Sequence, residues 1–227
     1  MGEMFIFYGL AIISIIITLG AQAFISSCYS KYSKVKNEKG LTGSEVARKI
    51  LDRNGLNDIK VVETTGYLSD HYDPKARTIR LSQSIFREDS IASVSVACHE
   101  CGHAIQDKNK YLFLRIRSFL VPFVNFCSYA GYIAILLGSI FSALGLIWAG
   151  IIAEMVILLF QLVTLPVEID ASRRGLKELK EQQYLNSKEM GSGKLMLTSA
   201  ALTYVASLAT TLIQILRLVL IYGRRND

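Results

Sequence analysis

Charge is scarce over long stretches of this chain. Met4–Ser30 contains no Asp, Glu, Lys or Arg, and Ser118–Val167 contains only Glu154. Only 19% of residues are charged against 51% hydrophobic, which is not the balance of a soluble protein. Four cysteines without regular spacing make no disulfide framework. No Lys or Arg precedes the first apolar run, which also exceeds the hydrophobic region of a secretory signal. Ala21-Gln22-Ala23 resembles a cleavage site and Ile25-Ser26-Ser27-Cys28 a lipoprotein box, but the run reads as a retained span. The net charge of +6 raises the question of nucleic acid. No nucleic-acid motif or aromatic-interleaved basic groove is present. The basic residues instead flank apolar runs, as at an anionic, cytoplasmic membrane face. Histidine is rarer still: His71, His99 and His103 are all there is.

The apolar runs divide the chain into an N-terminal transmembrane helix at 1–28, a cytoplasmic catalytic region at 29–117 and a transmembrane hairpin at 118–167. A cytoplasmic helix at 168–194 and a C-terminal membrane segment at 195–227 complete it. Phe5–Ile25 is long enough to cross a hydrocarbon core. Lys31, Lys34, Lys36 and Lys39 follow at once, which puts the N-terminus outside and the next region in the cytoplasm. The 50 residues of Ser118–Val167 would span about 75 Å as one helix, more than twice a bilayer core. They must fold back, turning near Gly138–Gly150, and Arg115, Arg117, Arg173 and Arg174 mark both ends as cytoplasmic. Glu154 reads as an interface residue beside that turn, with a proton or partner role as the alternative. Leu195–Tyr222 is interrupted only by Arg217 and reads as a fourth crossing. Gly223-Arg224-Arg225 argues for a tilted or re-entrant segment instead.

The polar region mixes helix and strand. Thr42-Gly43-Ser44-Glu45 is a capping box that opens a helix with Val46, Ala47, Ile50 and Leu51 on one face, and Asn54-Gly55 stops it. Lys60–Glu63 and Thr78–Ser82 read as short strands separated by a turn at Asp73-Pro74. Gly191 and Gly193 read as helix breakers. The fold class is therefore a mainly α membrane protein, with about four transmembrane helices and a small cytoplasmic α+β region of zincin type.

The chemistry concentrates in Ile91–Asp107, which holds His99-Glu100-Cys101-Gly102-His103, an H-E-x-x-H motif. Asp89 or Ser90 is its N-cap, and no Gly or Pro interrupts Ala92–Ala97. Residues four apart share a helix face, so His99 and His103 can aim two imidazoles at one ion while Glu100 stands beside it as a base. Zinc needs a third protein ligand. His71 is the one remaining histidine, and Cys98 and Cys101 fall on other faces. The best-placed carboxylate is Glu168, because the hairpin returns it to the side from which the motif helix departs. An acid after a membrane span is as a rule a plain boundary residue.

Four words in order bear on that choice: Ser69-Asp70-His71-Tyr72-Asp73-Pro74, Arg80-Leu81-Ser82, Ala97–Gln106, and Leu165-Pro166-Val167-Glu168-Ile169-Asp170-Ala171-Ser172. Together they make the chain resemble the YugP-like neutral zinc metallopeptidases, small bacterial membrane proteins of the gluzincin kind, over about residues 40–220. It is similar, more distantly, to HtpX-type membrane proteases through Glu168 and Ala171. Those carry Asp where this chain has Ser172, and Asp170 is the substitute on hand. The resemblance implies a multi-pass protein of the bacterial cell membrane with its site facing the cytoplasm. It implies Zn²⁺ held by His99, His103 and Glu168, Glu100 as general base, and hydrolysis of peptide bonds. His71 is the candidate oxyanion donor, an ordinary loop histidine being the alternative. The edge of the Thr78–Leu81 strand is a candidate surface for pairing with an extended substrate. The expected partners are polypeptides, membrane proteins among them, and the bilayer; the oligomeric state is open. Two rivals stand beside this reading: a non-catalytic zinc-binding membrane scaffold, and a redox protein using Cys98 and Cys101.

Overall fold

The structure is a computed structural model describing residues 2–223, with side chains from Tyr8 onward. Ten elements follow one another: α1 (Gly2–Tyr32), α2 (Gly43–Arg53), β1 (Lys60–Thr64), β2 (His71–Asp73), β3 (Thr78–Ser82), α3 (Gln83–Arg87), α4 (Ile91–Lys108), α5 (Leu112–Phe141), α6 (Leu144–Glu181) and α7 (Met190–Tyr222). Among the described residues, four helices are long and apolar enough to cross a membrane: Tyr8–Tyr32 of α1, α5, α6 and α7. Arg224 and Arg225 lie outside the described residues.

The chain forms two compact units. One comprises the described parts of Met1–Gln22, Arg115–Leu165 and Thr203–Asp227. Here α5 and α6 turn at Ser142-Ala143, with Ser142 in the left-handed region and the Ala143 N–H closing on the Gly138 carbonyl at 2.9 Å. The two helices then run close together. A Cβ at Gly150 would overlap the Ile135 side chain and lie 3.0 Å from the Gly131 carbonyl oxygen. Ile147, Ile151 and Leu218 are buried together, flanked by Ile135, Trp148 and Ile215. In an apolar solvent such close approach of small residues replaces the hydrophobic effect as the source of helix association. Gly150→Leu is accordingly expected to loosen this hairpin and to lower the thermal midpoint in detergent by several degrees. Gly145→Leu, with nothing within 4 Å, is not. Glu154 is half-buried about 16 Å along α6 from the turn, so it lies about three helical turns into α6 and not beside the turn. The turn occupies only two residues, and most of the small residues around it pack helices together.

The other unit comprises Ala23–Leu114 and Pro166–Leu202. Thr42 and Glu45 close a capping box, and α2 buries Val46, Ala47, Ile50 and Leu51. Its sheet has the order β1-β3-β2, with β1 parallel and β2 antiparallel to β3. The strand Thr78–Ser82 is thus the central one, paired through Thr78–Arg80 with Asp73, Tyr72 and His71. This corrects its reading as a free edge. The intervening β2 has three residues, too few for alternation to show in the sequence, and the edges of the sheet are β1 and β2. Asp73 organises the turn between them, its Oδ1 accepting from the N–H groups of Lys75 and Ala76 at 3.0 Å.

Helix α4 is buried along nearly its whole length, from Ile91 to Gln106. Ser90 is its N-cap, the hydroxyl accepting from the Ser93 N–H at 3.0 Å. One core joins it to Ile50 and Leu51 of α2, Ile79 and Leu81 of β3, and Leu179 of α6. Helix α6 does not end at the polarity change near residue 167. It runs through Pro166 to Glu181, because 168–181 contains good helix formers and nothing that stops it. Gly191 and Gly193 lie inside α7. Helix α7 is instead set up by Asn186 and Glu189: Asn186 Oδ1 accepts from the Glu189 N–H at 2.9 Å, and Glu189 Oε2 from the Asn186 N–H at 2.8 Å. That exchange has the form of a capping box, and it starts the helix before the glycines can break it.

Candidate metal centre

The H-E-x-x-H residues sit on α4 where it crosses α6 at backbone contact. A Cβ at Gly102 would lie 3.0 Å from the Ala171 carbonyl carbon and overlap its oxygen; one at Gly175 would lie 3.0 Å from the Cys98 carbonyl. Only glycine permits this separation. It brings Glu168 of α6 onto the His99–His103 face. Glu168 Oε2 stands 3.3 Å from His99 Nε2 and 3.5 Å from His103 Nε2. Bonds of about 2.0–2.1 Å to a tetrahedral zinc would set neighbouring donor atoms about 3.3 Å apart. The three donor atoms lie within 4.8 Å of one another and form the one such cluster among the described residues. Two imidazoles and a carboxylate are a donor set suited to zinc, and the spacing fits it.

The far side of each imidazole is also held. His103 Nδ1 lies 3.0 Å from Gln106 Oε1. His99 Nδ1 lies 3.2 Å from Ser172 Oγ, whose own proton goes to the Leu197 carbonyl at 3.3 Å. The Ser172 oxygen therefore accepts from His99, and the Nε2 lone pair is left for the cluster. Ser172, where HtpX-type proteins carry Asp, itself partners the imidazole. Glu100 is only 6% exposed and points into the same region. Burial pushes its carboxyl up to about 7; the nearby Glu168 and Asp70 add to the rise, while His99 and the Tyr72 N–H oppose it.

Comparison with known proteins bears directly on this arrangement. Residues 7–223 match the family described as "Putative neutral zinc metallopeptidase". The chain belongs to this family. It is 41% identical over 222 residues to "Putative membrane protease YugP" of Bacillus subtilis (strain 168), an alignment covering 98% of this chain and 99% of that protein. No solved structure matches.

In this member of the neutral zinc metallopeptidase family, His71 lies outside the three-donor cluster. It is exposed on β2, with Nδ1 2.8 Å from the Ser69 carbonyl oxygen. Its neighbour Tyr72 is anchored: the hydroxyl donates to Asp107 at 2.8 Å, fastening β2 to the end of α4. Asp70 also braces this strand, accepting from the Ser82 N–H and hydroxyl at 2.7 and 3.0 Å. Cys98 and Cys101 are fully buried free thiols, and burial pushes both well above the ordinary thiol range. They lack the exposure and thiolate character of redox cysteines.

The raised Glu100 carboxyl has a thermodynamic consequence in the zinc-free protein. The folded state keeps this proton up to a pH of about 7, whereas the unfolded chain releases it near its ordinary value of 4.5. The folded state binds more protons across that window, so stability is full below it and falls as pH rises through it, by about 3 kcal/mol. Thermal midpoints of zinc-free protein at about pH 5 and about pH 8 should show this fall, and Glu100→Gln should flatten it.

Proposed function

We propose that the chain is an integral-membrane, zinc-dependent endopeptidase that hydrolyses polypeptides at the cytoplasmic membrane surface. The carrying observation is the convergence of Glu168 Oε2 on both imidazole Nε2 atoms, with each Nδ1 turned away to a separate partner. His99, His103 and Glu168 would hold the metal. Bound zinc would supply Lewis acidity, lowering the pKa of water toward 7 and polarising the scissile carbonyl. Glu100 takes the proton of the attacking water at its carboxylate and passes it to the leaving nitrogen. A carboxyl tuned near neutrality suits both transfers.

The substrate would lie extended along β2, the edge strand whose Tyr72 N–H approaches Glu100. His71, exposed on that strand, would donate to the developing oxyanion. Four apolar helices and the basic residues flanking them support a membrane location with the site on the cytoplasmic side. Membrane-proximal or misfolded segments of membrane proteins are the substrate class this location favours. A structural zinc scaffold would call for a fourth protein donor, and the cluster among the described residues has three.

Metal removal tests the reading. Protein purified in detergent should bind one zinc per chain and cleave an unfolded polypeptide. A chelator should stop cleavage, and one equivalent of zinc should restore it. Undiminished cleavage by zinc-free protein would overturn the proposal.

A further inference from the structure

Gln106 is fully buried, three residues beyond His103 on α4. Its amide faces in two directions. Nε2 lies 2.8 Å from the Val167 carbonyl oxygen and 2.8 Å from Asp170 Oδ2, both on α6; Oε1 lies 3.0 Å from His103 Nδ1. A backbone carbonyl can only accept. Arg174 Nε, which can only donate, gives its proton to the same Asp170 Oδ2 at 2.6 Å, so that oxygen is an acceptor as well. Two acceptors on α6 therefore fix the amide with its NH₂ toward α6 and its oxygen toward His103. That oxygen can only accept, so His103 must carry its proton on Nδ1.

From this geometry we propose that Asp170, with Arg174, is a remote positioning residue that sets the tautomer of His103 through the Gln106 amide. Every donor in the chain points toward Asp170: His103 to Gln106, Gln106 to Asp170, Arg174 to Asp170. The order follows from the acceptors on α6, and it puts a His103 proton on Nδ1, on the side away from Glu168. A reversed amide would set the Gln106 oxygen against two acceptors. The chain does its work before any metal arrives. Its role as preorganisation for zinc rests on the function proposed above; the tautomer itself does not.

The test uses full-length protein in detergent with Gln106→Met, Asp170→Ala and the double variant. In metal-free protein, ¹⁵N shifts of the His103 imidazole should report Nδ1–H in the parent and a mixture of tautomers in all three variants. Zinc affinity, measured by competition with a chromogenic chelator, should fall roughly 10–100-fold in each single variant. The double variant should be no worse than the worse single one, because both substitutions cut one chain. Asp170→Asn, which keeps an accepting oxygen for Arg174 and Gln106, should retain most of the affinity and shows that loss in the Ala variant is not simple unfolding. Asp170→Ala with His103 still on the Nδ1–H tautomer would overturn the proposal, as would strictly additive losses. A parent that bound no zinc but showed the expected tautomers would overturn the metallopeptidase reading alone.

Discussion

Glu100→Gln is expected to abolish proteolysis while leaving zinc in place. Gln has nearly the same shape, and its side-chain oxygen can still accept the Tyr72 N–H that Glu100 faces. None of the three donor atoms is touched. What disappears is the capacity to take a proton. Loss of a positioned general base removes roughly 10²–10⁴-fold of rate, so peptide cleavage should fall below a thousandth of the parent's or close to it. The zinc content and the chelator competition curve should not move. A buried carboxyl with a costly charged form is also replaced by a neutral amide, so the variant should be at least as stable as the parent at neutral pH. Proteolysis persisting at parental rates would end the assignment of Glu100 as the base and leave the peptidase to work through another group.

The elements with strong local signals are legible in the sequence. The four apolar helices follow from run length and charge scarcity alone. The capping box at Thr42–Glu45 and the stop at Asn54-Gly55 are chemical signals, and both operate as written. The turn within Gly138–Gly150 was forced by bilayer thickness. His99, Glu100 and His103 were visible because four-residue spacing is helix geometry, and only three histidines exist to choose from.

What was not readable depends on partners distant in sequence. Strand β2 gains its identity from pairing with Thr78–Arg80, not from three residues of its own. The same pairing turned the expected edge strand into the central one. Gly191 and Gly193 carry the composition of a break, but the reciprocal bonds of Asn186 and Glu189 start α7 ahead of them. Gln106 stands at the end of a motif word, and nothing local says that its amide meets Val167 and Asp170, 61 and 64 positions away. Glu168 lies between these cases. Topology pointed to it, but its approach to the imidazoles depends on how closely two helices pass.

That passage is controlled by Gly102, one of the two unspecified positions in H-E-x-x-H, and Gly102→Ala is expected to damage the metal centre through a single added methyl group. The added Cβ would stand 3.0 Å from the Ala171 carbonyl carbon, 3.1 Å from its Cα, and in overlap with its oxygen. These are backbone atoms of a helix, so no rotamer change relieves them, and trimming the neighbour by Ala171→Gly should not rescue the variant. Either α4 moves away from α6 or the crossing is strained, and overpacking of this kind costs about 1–3 kcal/mol. Movement takes His99 and His103 away from Glu168, whose oxygen is only 3.3 and 3.5 Å from their rings. Displacement of even a fraction of an ångström there should weaken zinc at least tenfold, with peptidase activity falling alongside, whereas Glu100→Gln removes activity without touching affinity. Gly191→Ala is the control: it meets nothing within 4 Å, lies in the first turn of α7, and should leave both readouts at parental levels. Chelator competition on the two glycine variants separates the outcomes. Gly102→Ala binding zinc like the parent would mean that the α4–α6 crossing tolerates separation, and that Glu168 is not held in place by helix contact.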